Sequence, residues 1–211
     1  MTKSYSTKRI LFIIVLLRFS IFFTKQIFRI NISLLDDDYN GKYIYVIDRK
    51  SQSKIISKNH KTKAYPASLN KIITTVIGIE NIEDLSAIAP MDRNTYLKIV
   101  DNNSPMAGFY ANEQTTYRDL LYRIILNSGG QAANSLSINI SGSVKDFVKI
   151  MNNKASELGL HNTHFTNPKG PHDKKQYTTA YDMAILLDNG HFEVLFTKDS
   201  LHTTSTLDHP K

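Results

Sequence analysis

The stretch "YPASLNKIITT", residues 65–75, sets a serine and a lysine three positions apart just after a proline. From Ala67 to about Glu80 the sequence predicts a helix. Leu69, Ile72, Ile73, Val76 and Ile77 recur at helical spacing and give it one buried face. Positions i and i+3 of a helix share a side, so Ser68 and Lys71 point the same way at its first turn. A serine hydroxyl is a weak nucleophile until a base takes its proton. A lysine serves as that base only if burial or neighbouring cations lower its pKa. The helix N-terminus adds N–H donors and a positive end, which suit an oxyanion formed in acyl transfer. Taken alone, Ser-x-x-Lys is a weak signal, and its plain reading is a capping serine beside a solvated lysine.

Upstream, "KYIYVIDRKSQSKIIS" reads as a hairpin, with strands over about 42–48 and 54–57 and a polar turn at Arg49–Ser53. The first strand is apolar on both faces, which predicts a central or covered strand. Residues 81–114, with Pro90, Pro105 and Gly108, read as irregular. Thr116 reads as the N-cap of a helix, with Asp119 at its third position and Leu120, Leu121, Ile124 and Ile125 as its apolar stripe. "NSGG" at 127–130 stops it, and a further helix runs over about 131–140. Ser143 caps a longer one to about Leu158, with Val144, Phe147, Val148 and Met151 inward and Gly159 as a C′ glycine. "NTHFTNPKGPHD" reads as a loop, and Thr179 caps a last helix over Ala180–Leu187. A strand pair followed by a run of helices predicts an α+β or mixed α/β domain.

With 211 residues the chain is long enough for one domain with a core. The net charge of +7 is placed unevenly. Lys3, Lys8, Arg9, Arg18, Lys25 and Arg29 fall within residues 1–35, which hold no acid, leaving about +1 for the rest. A nucleic-acid binder needs its basic patch on the folded body, so the charge argues against nucleic acid as a partner. The basic residues instead flank the apolar runs of "KRILFIIVLLRFSIFFTKQIF", residues 8–28. An export signal or signal anchor is the favoured reading and a membrane-surface helix the second. Arg18 interrupts the apolar run and disfavours a buried core helix. Residues 31–41 read as a linker. His60, His161, His172, His191, His202 and His209 show no metal-ligand spacing. The absence of cysteine decides nothing about compartment.

Four ordered stretches carry a resemblance over about 43–190. "YPASLNK" resembles the "YPASLTK" of the serine-type D-alanyl-D-alanine carboxypeptidases, the low-molecular-mass penicillin-binding proteins. "LLYRIILNSGGQAANSL", 120–136, resembles that family's leucine-rich helix ending in Ser-Gly-Asn and followed by Ala-Ala. "LGLHNTHFTNPKG", 158–170, is similar to its "LGM.NTHF.NPHG" loop, with His164 in the match, and "YTTAYDMAIL", 177–186, to its "STARDMA.L" helix start. The last two argue for the carboxypeptidase branch over a class A β-lactamase-like protein.

The resemblance implies a β-lactamase/transpeptidase-like fold. It also implies removal of the terminal D-alanine from peptidoglycan stem pentapeptides through an acyl-serine intermediate, with β-lactams as inhibitors. Ser68 would be the nucleophile, Lys71 the general base and Ser128 the proton relay. No metal or organic cofactor is implied. Residues 1–35 are then expected to be a signal peptide or membrane anchor, and 36–211 an incomplete catalytic domain at the extracytoplasmic face of the cell membrane.

Two departures qualify this. The family's Ser-Gly-Asn is Ser128-Gly129-Gly130 here, so the substrate-binding asparagine side chain is lost at Gly130. Asn127 and Asn134 are weak substitutes. In addition, no K-T-G follows Ser128 within the 211 residues, so the helical part is expected to be largely present and the C-terminal strands of the antiparallel sheet missing. Asn70 for threonine and Pro171 for leucine are smaller departures. The alternatives are an inactive, truncated member that at most binds muropeptide or β-lactam, and an unrelated membrane-associated interaction protein with a chance Ser-x-x-Lys.

Overall fold

The computed structural model describes residues 39–90 and 114–192, together with single positions at 18, 20, 93, 94, 97 and 195. The leader read over 1–35 and most of the chain after 192 lie outside the described residues. Among those described, no helix is long and apolar enough to cross a membrane. The chain divides into two compact units, Met1–His60 and Lys61–Lys211.

In the first unit, β1 (Ile44–Asp48) pairs antiparallel with β2 (Ser53–Lys58), with a register shift between Val46 and Ile47. The turn is closed by Asp48, whose Oδ1 accepts from both the backbone N–H and the hydroxyl of Ser51 at 2.6 Å. The hairpin forms where its alternation predicted. Its first strand is not covered on both faces, since Val46 is 39% exposed.

The second unit is mainly helical. A 3-10 turn at Ala67–Leu69 leads into α1 (Asn70–Asn81). Then come β3 (Ile88–Pro90), β4 (Gln114–Thr116), α2 (Tyr117–Leu126), α3 (Gly130–Ser141), α4 (Val144–Glu157) and α5 (Ala180–Asn189). The β3–β4 pair was not legible in the sequence. The two strands are three residues each, and their partners, Ile88 opposite Thr116 and Pro90 opposite Gln114, are far apart in the chain.

Helix starts follow their capping chemistry. Thr116 and Asp119 form a capping box, each satisfying the other's backbone N–H. The hydroxyls of Ser143 and Thr179 likewise accept from the N–H groups of Asp146 and Asp182. Gly159 takes the left-handed conformation just after α4, at φ 70°.

Two apolar clusters hold this unit together. One gathers Leu120, Leu121 and Ile124 of α2 with Ala132, Ala133 and Leu136 of α3. The other joins Ile73, Val76 and Ile77 of α1 to Phe147 and Met151 of α4, with Phe165, Met183 and Leu186. Each such large side chain, fully buried, contributes about 1.5–3 kcal/mol. Helix α1 serves both clusters. Its Gly78 lies so close to α2 and α3 that an added Cβ would fall 2.7 Å from Leu121 Cδ2 and 3.1 Å from Leu136 Cδ2.

The expectation of a one-sided amphipathic helix over 67–80 needs correction. Leu69, assigned to the buried face, belongs to the 3-10 turn and is exposed, whereas Asn70, Lys71, Thr74 and Thr75 are buried. The helix is enclosed nearly all round, and its polar side is covered by the loop of residues 160–179.

That loop is bonded along its length. Asn70 Nδ2 donates to the Asn167 carbonyl at 2.7 Å, Thr74 Oγ1 to that of Pro168 at 2.8 Å, and Lys71 Nζ to that of Lys169 at 2.6 Å. Gln176 Oε1 accepts from Asn70 Nδ2 at 2.6 Å, and Asn152 exchanges two hydrogen bonds with the backbone of Phe165. Residue 64 pairs with 178, and 164 with 177. Gly170, at φ 95°, closes the approach: a Cβ there would fall 2.2 Å from the Ala67 carbonyl oxygen. Because that neighbour is backbone, no rotamer change relieves the overlap.

Gly170→Ala is therefore expected to destabilise the folded chain by at least about 2 kcal/mol in denaturant unfolding. Asn70→Ala, which loses two hydrogen bonds, one of them fully buried, is expected to cost about 1–3 kcal/mol.

Candidate active site

Ser68 sits in the middle of the 3-10 turn, on the surface, with Lys71 one step later and only 5% exposed. The preceding Ala67 has φ 49°, a conformation that costs a residue with a Cβ about 1–3 kcal/mol. The turn so formed brings the two side chains together: Lys71 Nζ donates to Ser68 Oγ at 3.2 Å. A second strained residue stands opposite. Ser128, between α2 and α3, has φ 54°, and its hydroxyl donates to Ser68 Oγ at 3.3 Å. The three residues expected from the sequence thus converge on one oxygen.

The lysine is held in an environment that disfavours its charge. Burial pushes its pKa below the ordinary lysine value, and the nearby Lys169 cation pushes it further the same way. Its two hydrogen bonds, to Ser68 Oγ and the Lys169 carbonyl, fix the amine beside the hydroxyl. An amine that gives up its proton readily, within hydrogen-bond reach of a serine, can act as a base toward it.

Gly130, the second residue after Ser128, is buried at the start of α3. A Cβ placed there would meet Lys169 Cδ at 3.6 Å and Lys169 Cβ at 3.8 Å, ordinary contact distances. The lysine methylenes therefore pack beside the glycine and leave room for a Cβ there. Neither candidate substitute takes that place. Asn127 caps the end of α2, and Asn134 lies a turn into α3 with a buried Oδ1 that accepts no hydrogen bond. The Gln131 amide, next to Gly130, is fully buried and makes no hydrogen bond among the described residues. On the rim, the Tyr65 ring meets that of His172 edge-on at 4.4 Å.

Sequence reasoning missed Lys169, whose carbonyl and charge both act on Lys71. It also gave little weight to Asn70, which ties the loop to α1. Their partners lie about 100 positions away in the chain, so no local pattern announces them. The asparagine and glycine of "NPKG" were the available signal for a tight turn: Asn167 Oδ1 accepts from the Gly170 N–H at 2.6 Å.

The sequence pattern of the D-alanyl-D-alanine carboxypeptidase family matches residues 33–206. The D-alanyl-D-alanine carboxypeptidase DacF of Bacillus subtilis is 34% identical over 152 residues, covering 70% of this chain and 38% of that protein. DacA of Haemophilus influenzae is 33% identical over 146 residues, covering 67% and 37%. Among solved structures, penicillin binding protein 5 from Haemophilus influenzae superposes with a TM-score of 0.66 at 29% identity, covering 75% of this chain and 46% of that one. The Streptomyces K15 DD-transpeptidase superposes at 0.69 and 26% identity, covering 75% and 64%. The chain spans about two fifths of the length of these curated relatives. Ser68, Lys71 and Ser128 fall inside the matched region, on a mixed α/β fold shared with these penicillin-binding neighbours, and the chain belongs to the D-alanyl-D-alanine carboxypeptidase family.

Proposed function

We propose that this protein is an acyl-serine peptidase acting on the D-Ala-D-Ala end of peptidoglycan stem peptides. The observation that carries the reading is the 3.2 Å contact between the buried Lys71 amine and Ser68 Oγ. The Ser68 hydroxyl gives its proton to Lys71 as its oxygen attacks the carbonyl of the penultimate D-alanine. The proton then passes through the Ser128 hydroxyl to the departing nitrogen, the peptide C–N bond breaks, and free D-alanine leaves. Water hydrolyses the ester, with Lys71 again taking a proton, and Ser68 is regenerated. β-Lactams acylate the same oxygen and leave slowly. Residues 36–211 belong to the catalytic domain, and the basic-apolar leader over 1–35 directs or anchors it to the extracytoplasmic side of the membrane. The similarity to enzymes named D-alanyl-D-alanine carboxypeptidases supports the substrate class.

A second reading is favoured by one observation. Gly130 offers no side-chain amide to the substrate, and a lost polar contact of this kind costs about 1–3 kcal/mol. On that reading the chain binds muropeptide or β-lactam without appreciable turnover.

Incubation with a fluorescent penicillin, followed by denaturing electrophoresis, tests both. Wild type is expected to take up covalent label. Ser68→Ala should take up none, and Ser128→Ala should be slowed about 10²–10⁴-fold, the usual size of a lost proton-transfer group. Label that persists in Ser68→Ala removes Ser68 as the nucleophile. Label without release of D-alanine from a D-Ala-D-Ala peptide favours the binding reading.

The acylation rate should also depend on pH. Lys71 must be the free amine, so the rate is expected to rise with pH and level off below the range where an ordinary lysine loses its proton. A profile still rising through the ordinary lysine range would remove Lys71 as the base.

A further inference from the structure

We infer that the ridge of lysines and tyrosines leading up to Ser68 is a subsite for carboxylates on the upstream part of the substrate peptide. The inference rests on the reading of a D-Ala-D-Ala peptide as the substrate, but it is measured as binding and needs no turnover.

Two segments build the ridge. Ala64 and Thr178 exchange backbone hydrogen bonds of 2.8 and 2.9 Å, which lays residues 61–65 beside residues 177–181. The Thr178 side chain is buried, and its neighbours across the pairing, Lys63, Tyr65 and Tyr177, alternate to the other side. Lys63 Nζ stands 3.8 Å from the centre of the Tyr177 ring, and Lys61 Nζ 5.5 Å from that of Tyr181. The ridge continues to the Tyr65 ring, 59% exposed, which His172 meets edge-on. Ser68 lies three residues further along the chain.

Its charge is one-sided. Residues 61–65 and 169–181 hold five lysines against one carboxylate, Asp173, whose Oδ1 accepts from the Lys175 N–H. The next acid, Asp182, is buried and accepts from Asn162 and Thr163. Lys61, Lys63, Lys174 and Lys175 are exposed, and among the described residues no carboxylate pairs with them. Beyond residue 35 the chain carries only about +1, so the excess is local to this ridge. A ring face attracts an ammonium without cancelling its charge. Lys61 and Lys63 are therefore held in place and remain open to an anion.

Position names the anion. A lipid surface would be met equally well by lysines elsewhere on the body, whereas this row ends at the nucleophile. Lys63 precedes Ser68 by five residues, so at most about 18 Å of chain separates them, the span of about five extended substrate residues. A peptide with its last amide at Ser68 that runs back along the row meets the exposed Tyr65 ring first and the two ammonium groups next. The chemistry recognised is that of an acidic peptide, with carboxylates a few residues before its D-Ala-D-Ala end.

Two dye-labelled peptides test this. Both end in D-Ala-D-Ala, one with two glutamates among the four preceding residues and the other with glutamines in their place. Affinities are read by fluorescence anisotropy on full-length Ser68→Ala protein, which forms no ester. The glutamate peptide is expected to bind about 2–30-fold more tightly, the size that two exposed ion pairs give together. Adding Lys61→Gln and Lys63→Gln should remove that preference, Lys61→Arg with Lys63→Arg should keep it, and potassium chloride should shrink it. Equal affinities, or a preference that survives both glutamine substitutions, overturns the inference. Should the glutamine variant not fold, a preference insensitive to salt does so. Lysine-dependent binding to phosphatidylglycerol vesicles without any peptide preference overturns it in favour of a lipid surface. Penicillin labelling of wild type separates the inference from the proposed function. An unlabelled wild type with a lysine-dependent peptide preference loses the activity and keeps the inference, and a labelled wild type without that preference does the reverse.

Discussion

Three consecutive carbonyls, those of Asn167, Pro168 and Lys169, dock on side chains of one buried helix, and the candidate site depends on that docking. A carbonyl taken out of water must be bonded, at a cost of about 1–3 kcal/mol if it is not. Helix α1 meets the demand with Asn70, Thr74 and Lys71, and in return the loop covers a helix side that would otherwise face water. The glycine after the third carbonyl lets the loop come against the Ala67 backbone, where a Cβ has no room. The serine, the lysine and the loop are therefore held as one unit.

Burying a lysine is costly because its charge is poorly solvated in the interior. The fold offsets the cost by placing the amine where it need not be charged, beside a hydroxyl and a carbonyl that both accept its hydrogens. Backbone strain is also present here, as it is at Gln52 and Asn59 of the first unit. Ala67 and Ser128, flanking the site on two different segments, both hold left-handed backbone conformations. The rigidity that maintains them comes from the two apolar clusters, which join at α1 through Ile73, Ile77 and the close approach at Gly78. The burial of the Lys71 amine beside the Ser68 hydroxyl is thus a property of the packed helix and its loop together.

Gly130 leaves the start of α3 without a side chain beside the candidate site. Methylenes of Lys169, arriving from the loop, lie at ordinary contact distance from where a Cβ at 130 would sit. The Lys71 amine finds its second partner in a main-chain carbonyl, which substitution at 169 leaves in place.

The sequence by itself determined the local features. The capping residues Thr116, Ser143 and Thr179 act within three positions of themselves, the hairpin turn closes on Asp48, and Ser68 and Lys71 meet because they are one helical step apart. The motif order also marked Ser128 before any geometry was known. Tertiary structure alone decided the rest. The pairing of β3 with β4, the burial of Asn70, and the convergence of Ser128 and Lys169 on Ser68 and Lys71 all join residues about 25 to 100 positions apart. Such contacts form only when apolar clusters elsewhere have fixed the helices, so their strength is set by packing that no short stretch of sequence encodes.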